Sequence, residues 1–389
     1  MDEKKAATVT APTAGSLTVE PELPKDIPTL QAMLKAERMR NAEMAGRLAV
    51  SVPMKLTYQM YIASPPRTKE QMWTTACAND KTTSESWRSK WLDHIERNVK
   101  ENKADERMVD GMLRQHAYKP CLCVASGPSL NRNFMFIKML PKEIPVISVL
   151  HNYHRFIDTD TRCDAFVTLD AGDIVIKEMA EGGSKTPEEY WESTKNQTLI
   201  TGLVTPPELV KKWKGKVYFF SATIPDEEFM VALPKLTKNK WVYSVGGHTF
   251  GAAMYHAAWI WGCSELALVG ADYAFDYMHQ FHPWKTDYDK KFFGVMPCTD
   301  VWGNRVYSWP SYQNFRAWVE FQAMGGNSDH HVRIVNCTEG GTVGAYPEGN
   351  IMQVQQLLLK DWVDQHARWQ KYQGEVVKRS GEGDYVIGW

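Results

Sequence analysis

The stretch Cys121-Leu-Cys-Val-Ala-Ser-Gly-Pro-Ser-Leu130 decides the fold. Its opening run of small and apolar residues reads as a strand buried on both faces, and it leads straight into Ser126, Gly127, Pro128 and Ser129. Glycine lets a backbone approach a ligand closely, and proline can open a helix because the first helical N–H has no partner to lose. The amides that follow then face outward, where a phosphate can sit. The spacing is neither G-x-G-x-x-G nor G-x-x-x-x-G-K-[ST], so an ordinary strand-to-helix turn stays open beside the phosphate reading.

Working outward, the same texture recurs at Pro145–Leu150, Ala165–Leu169, Thr198–Leu203, Val217–Phe220, Leu266–Gly270 and Val332–Asn336, with helix-length segments between several of them. Continuous apolar strands alternating with helices predict an α/β domain over residues 117–345, a mainly parallel sheet with helices on both faces. Residues 1–26 are rich in Ala, Thr, Pro and charge and read as a disordered tail. An α-helical N-terminal arm is expected over 27–116, with one helix from Thr29 to Leu48, a break at Pro65-Pro66 and a second helix capped by Ser84. In that second helix Trp87, Trp91, Ile95 and Val99 form one apolar stripe, which the main domain, a protein partner or a second copy of the chain has to cover. A C-terminal helix around Asn350–Gln370 and a loose tail complete residues 346–389.

Composition narrows the class. The 389 residues carry 45 basic and 46 acidic side chains, which speaks against a broadly basic nucleic-acid surface. Seven cysteines without a C-x-x-C pair suit a reducing, cytoplasmic setting. Neither a signal-type N-terminus nor an apolar run of about 18 residues is present, so no membrane span is expected.

Two further stretches bear on chemistry. Val245-Gly-Gly-His-Thr-Phe-Gly251 precedes an Ala-rich helix, and the strand after it ends in Gly270-Ala-Asp272. Gly246, Gly247 and Thr249 can present amides and a hydroxyl to an anion, while Asp272 can hold a ribose or a metal-bound water at the carboxyl edge. Close packing of the glycines and a turn-capping Asp272 are the plainer alternative. The pair His279 and His282 lacks a third ligand for zinc, and His282 is the better acid/base candidate. His151-Asn152 and Asp170 end two other strands and should gather at the same edge, Asn152 suiting base or sugar recognition and Asp170 suiting Mg²⁺ or a sugar hydroxyl.

Taken in order, Ala125-Ser-Gly-Pro-Ser-Leu130, Asn152, Leu169-Asp170, Gly246-Gly-His-Thr249, Gly270-Ala-Asp272, the His279–His282 loop, Asn304-Arg-Val-Tyr307 and Val335-Asn-Cys-Thr-Glu-Gly-Gly341 resemble one family. It is the 6-hydroxymethylpterin diphosphokinase MptE-like family, a Rossmann-like domain shared with the motility-accessory-factor glycosyltransferases of flagellin. A weaker likeness to bacterial sialyltransferases covers the first and second glycine turns only. The resemblance implies a nucleotide pocket built from Ser126, Gly127, Pro128, Ser129, Asn152, Asp170, Gly246, Gly247, Thr249 and Asp272. His282 and Asp272 are then the expected catalytic residues, with Asp170 and Asp272 as holders of Mg²⁺. The implied reaction is transfer from a nucleotide donor: a CMP-linked nonulosonic sugar, or a nucleoside triphosphate giving diphosphate to a pterin-like alcohol. A non-catalytic structural or assembly protein that keeps the nucleotide fold is the alternative from a different class.

Overall fold

The computed structural model describes residues 69–180, 183–224, 226–275, 296–324, 332–345 and 354–367. The expected tail, the helix Thr29–Leu48, and the loop holding His279 and His282 lie outside the described residues. Eleven strands are formed: β1 (Pro120–Val124), β2 (Val146–Val149), β3 (Ala165–Thr168), β4 (Thr198–Gly202), β5 (Lys216–Ala222), β6 (Val242–Tyr243), β7 (Glu265–Val269), β8 (Met296–Thr299), β9 (Arg305–Ser308), β10 (Arg333–Asn336) and β11 (Val354–Gln356). Nine of them build one sheet in the order β11-β10-β7-β1-β2-β3-β4-β5-β6, and every pairing within it is parallel. Leu122 in β1 lies opposite Val146 of β2 on one side and Ala267 of β7 on the other. Cys121, Leu122, Cys123 and Val124 are all fully buried. Successive strand residues point to opposite faces, so both faces of β1 are covered, as its unbroken apolar run requires.

The helices are α1 (Lys69–Asn102), α2 (Leu130–Asn133), α3 (Tyr153–Asp158), α4 (Ile174–Ala180), α5 (Pro187–Ser193), α6 (Pro207–Lys212), α7 (Glu227–Leu236), α8 (Thr249–Tyr255) and α9 (Pro310–Ala323). Two end signals act as the sequence dictates. Thr186 and Glu189 make a reciprocal capping box on α5, and Asp226 caps α7 by accepting from the Phe229 N–H at 3.0 Å. β8 and β9 pair as a separate antiparallel hairpin. No described helix is long and apolar enough to cross a membrane.

Two expectations are corrected. The helix expected to start at Ser84 is the second half of α1, which runs through that position, and Ser84 is buried inside it. The helix expected around Asn350–Gln370 begins later among the described residues, because Val354–Gln356 adds strand β11 to the sheet edge and residues 359–367 are helical.

The middle of the apolar stripe of α1, Trp91 and Ile95, is covered by the chain itself, while Trp87 is exposed. Ile95 is fully buried and Trp91 nearly so, and the Trp91 ring meets Phe229 edge-on at 5.8 Å. Beside the stripe His94 donates from Nδ1 to the Val204 carbonyl at 2.7 Å, and Asn98 Nδ2 donates to the carbonyls of Leu203 and Thr205, each at 2.8 Å. The helix therefore closes the open carbonyls of the turn after β4 as well as packing on α6, α7 and α9.

Candidate functional site

The strand order fixes where a ligand can bind. From β1 the chain moves outward through β2 to β6, then returns to place β7 on the other side of β1. The loops leaving β1 and β7 therefore diverge, and the crevice between their carboxyl ends is the topological switch point where open α/β sheets hold ligands.

Three loops interlock at that crevice. The Gly127 N–H donates to the Gly270 carbonyl at 2.7 Å, so the turn after β1 is held against the end of β7. Ser129 then donates from its hydroxyl to Asp272 Oδ2 at 2.6 Å and from its N–H to the same carboxylate at 3.3 and 3.4 Å. The turn after β10 closes the third side, where the Thr342 N–H donates to the Asp272 carbonyl at 2.9 Å and Thr338 Oγ1 accepts from the Ala271 N–H at 3.1 Å. Such close contact needs glycine: a side chain at Gly127 would meet the Gly270 carbonyl at 2.5 Å. Gly270 itself sits at a φ of 68°.

The second glycine turn reaches the crevice from the far edge of the sheet. Gly246 and Gly247 follow β6 at φ 58° and 74°, and α8 then crosses back to pack on β1, β2 and β3. His248 caps α8, its Nδ1 accepting the Gly251 N–H at 3.0 Å. An imidazole whose Nδ1 accepts carries its proton on Nε2 when neutral. Burial holds it neutral, pushing its pKa from 6.5 down to about 3. The ring lies among Tyr273, Phe315 and Trp318, with centroids at 5.7, 4.8 and 5.6 Å. Among the described residues, His248 Nε2 is a buried donor with no hydrogen-bond partner. Sequence reading passed over this residue in favour of its neighbours. The signal that could have found it is the capping geometry, a polar side chain three residues ahead of a helix N–H.

A cavity of about 570 Å³ opens along the strand ends. Of the expected pocket residues, Ser126, Gly127, Asp170, Gly247, Thr249 and Asp272 line it. Pro128, Ser129, Asn152 and Gly246 do not line it. Ser129 is spent on Asp272, and Asn152, fully buried, donates from Nδ2 to the Ala125 carbonyl at 2.9 Å and to Ser148 Oγ at 3.1 Å. Gly246 is pressed against the Trp318 ring. These four stand outside the lining of the cavity. The lining also includes His151, Asp170 and Glu178. Burial raises the Asp170 pKa above the ordinary carboxylate value, opposed by the Gly172 N–H that Oδ1 accepts at 2.7 Å. Thr83, Trp87 and Trp91 of α1 complete the rim. No Lys or Arg is among the described lining residues.

Asp170 and Asp272 do not form one Mg²⁺ site. β3 and β7 stand three strand spacings apart, roughly 14 Å, whereas one Mg²⁺ takes both its oxygens at about 2 Å. Among the described residues no group of three or more His, Cys, Asp or Glu is placed to hold a metal. Either carboxylate alone could hold Mg²⁺ only with waters and the oxygens of a bound donor completing the shell.

A parallel sheet with its crevice at the switch point and a Gly-Pro-Ser turn on its first strand defines a Rossmann-like α/β domain. Residues 93–277 match the family model described as 6-hydroxymethylpterin diphosphokinase MptE-like. Among solved structures it is similar to the MAf glycosyltransferase from Magnetospirillum magneticum AMB-1, at 18% identity and a TM-score of 0.48. That match covers 69% of this chain and 38% of the other, so it takes in well under half of the larger protein. No curated protein matches the chain.

Proposed function

We propose that the protein is a nucleotide-dependent transferase whose donor is a CMP-linked nonulosonic, sialic-acid-like sugar. The observation that carries this reading is the charge character of the cavity. Its anion-seating groups are neutral ones, the Gly247–Thr249 turn with its amides and hydroxyl and His248, with no Lys or Arg among the described lining residues. Neutral donors suit a single phosphodiester charge, which needs hydrogen bonds more than counter-charge. A nucleoside triphosphate concentrates about four negative charges and is ordinarily met by Mg²⁺ and lysine or arginine. Asp170 and Glu178 in the lining can accept from hydroxyl and amino groups, as a sugar or a cytosine offers. Trp87, Tyr312 and Phe315 give the cavity aromatic side chains for stacking.

The second reading is diphosphoryl transfer to a pterin-like alcohol, favoured by the description of the matching family. It requires counter-charge from Mg²⁺ or from residues beyond those described. The assembly alternative rests on Trp87, the member of the stripe left 37% exposed, since Trp91 and Ile95 are buried within the chain.

The deciding measurement is a thermal-shift panel of CMP, CTP, ATP and GTP, with and without Mg²⁺, on wild type and Thr249→Val. CMP at a hundredfold excess over its dissociation constant should add about 2.7 kcal/mol without Mg²⁺, and the variant should lose most of that gain. A response to purine triphosphate with Mg²⁺ and none to CMP selects diphosphoryl transfer. Silence across the panel from a folded sample rejects both nucleotide readings.

A further inference from the structure

The apolar stripe of α1 is covered unevenly, and the place where its cover stops is the cavity. Ile95 is fully buried, Trp91 is 8% exposed against Phe229, and Val99 packs on the core partly buried. One turn before Trp91, Trp87 is 37% exposed and lines the cavity. Among the described residues no aromatic ring packs on Trp87 and its indole N–H has no hydrogen-bond partner, while the Lys90 ammonium lies 5.4 Å from the ring centroid. The helix is tied down on either side of this ring. Arg88 Nε donates to Asp226 Oδ2 at 2.7 Å, at the start of α7 beyond β5, and Lys90 Nζ donates to Asp173 Oδ2 at 3.2 Å, in the turn after β3. The Lys90 pair is exposed and contributes little by itself, but the Asp226 side chain is only 2% exposed and gives α1 a firm anchor.

We propose that Trp87 is the platform of an acceptor subsite, taking the apolar face of a sugar ring whose hydroxyls reach Asp170. The inference rests on the transferase reading above and supplies the class of its acceptor. The two anchors set this part of α1 over the ends of β3 to β5. Those strands stand two or more spacings, roughly 10 Å or more, from β1 and the Gly127 turn at the crevice. A phosphate at the glycine turns leaves this end of the cavity free. It is also the end where the rim stays open to solvent, so an acceptor can arrive there with the donor already in place. The chemistry presented is that of a saccharide site: the C–H face of a pyranose lies flat on an aromatic ring, and its hydroxyls donate to carboxylates. Asp170 lines the same cavity, and with Oδ1 accepting from the Gly172 N–H at 2.7 Å its Oδ2 has no hydrogen-bond partner among the described residues. A ring bound inside the cavity covers Trp87 without a second chain.

The test is a binding measurement on the full chain. In protein labelled with 5-fluorotryptophan, the ¹⁹F line that vanishes in Trp87→Phe reports this ring. With CMP present, titration with methyl galactoside and with lactose should move that line. Trp87→Ala should weaken the saccharide by about tenfold, whereas Trp87→Phe, which keeps a flat ring, should stay within about threefold of wild type. Both variants should melt within about 2 °C of wild type and bind CMP as well, because the ring sits at the rim outside the core. A Trp87 line that no saccharide moves overturns the proposal, and so does saccharide affinity in Trp87→Ala within about twofold of wild type. Three other results overturn it by naming a different occupant. A line moved by CMP alone, with CMP affinity lost in Trp87→Ala, assigns the ring to the nucleobase. A line moved by 6-hydroxymethylpterin and by no saccharide assigns it to a pterin. A wild-type dimer in sedimentation that Trp87→Ala dissociates assigns it to a second copy of the chain. Failure of the wild type to bind CMP rejects the donor reading instead, and the saccharide titration run without CMP still decides the role of Trp87.

Discussion

Replacing Gly127 by alanine tests the interlocked crevice most directly. The new methyl group would stand 2.5 Å from the Gly270 carbonyl and 2.7 Å from the Asp272 carboxyl carbon, and nearer still to Oδ2. Neither neighbour can yield cheaply: one is backbone at the end of a buried strand, and the other is held by Ser129. Overpacking of this kind costs about 1–3 kcal/mol, and loss of the charged Ser129–Asp272 bond about 1.5–3 kcal/mol. The expected destabilisation is roughly 3–6 kcal/mol, lowering the melting temperature by roughly 5–15 °C in a domain of this size. The response to CMP should disappear with it. Gly111→Ala is the control, since its methyl would make an ordinary 3.8 Å contact with Tyr218 and the change should be near neutral. Calorimetry of the three proteins, followed by CMP titration, reads both effects. A Gly127→Ala protein that melts within about 2 °C of wild type and binds CMP as well would refute the account of the crevice.

Burial holds His248 and His256 neutral, with pKa values lowered from 6.5 to about 3. The unfolded chain takes up these protons first, so the stability tied to each ring is intact above about pH 6.5 and is lost as the pH falls toward 3, at up to about 1.4 kcal/mol per pH unit. His248→Asn keeps an N-cap acceptor for Gly251 but removes one of the two titrations, so denaturant midpoints measured from pH 7 to 4 should fall less steeply, and CMP affinity should weaken. Arg316 and Glu320 form a fully buried ion pair on α9 at 2.9 Å, with Gln313 Oε1 accepting from Arg316 Nη1 at 2.9 Å. Arg316→Met should destabilise the fold by about 3–5 kcal/mol in urea unfolding, because the fully buried Glu320 loses its guanidinium partner.

Much of the sheet was legible in the sequence because a strand buried on both faces has to be apolar throughout. The runs beginning at Cys121, Pro145, Ala165, Thr198, Val217, Leu266 and Val332 each became a strand within a residue or two of the expected limits. Val242–Tyr243 and Val354–Gln356 are too short to leave such a run, and their pairing comes from neighbours already in place. The long helix α1 was read as starting at Ser84 because a serine before an apolar stripe is a capping signal. Tertiary packing kept the chain helical through it. At the site, the glycine turns were visible as glycines, but the division between frame and lining was not. Ser129 and Asp272 are 143 positions apart, and only the closed structure shows that one serves the other. The proton placement on His248 is likewise set by the Gly251 N–H one turn later, which residue identity alone does not specify.

The rim that α1 contributes, Thr83, Trp87 and Trp91, comes from sequence ahead of residue 93, where the family match begins. The glycine turns after β1, β6 and β7 lie within the matched portion, whereas this stretch of the rim does not. A fragment trimmed to the family boundary would lose one side of its binding chamber. Conversely, evolution could re-shape what the chamber accepts by rewriting one helix, leaving the interlocked glycine turns untouched. Related domains with the same inner machinery and different leading helices would then differ in substrate while sharing a fold.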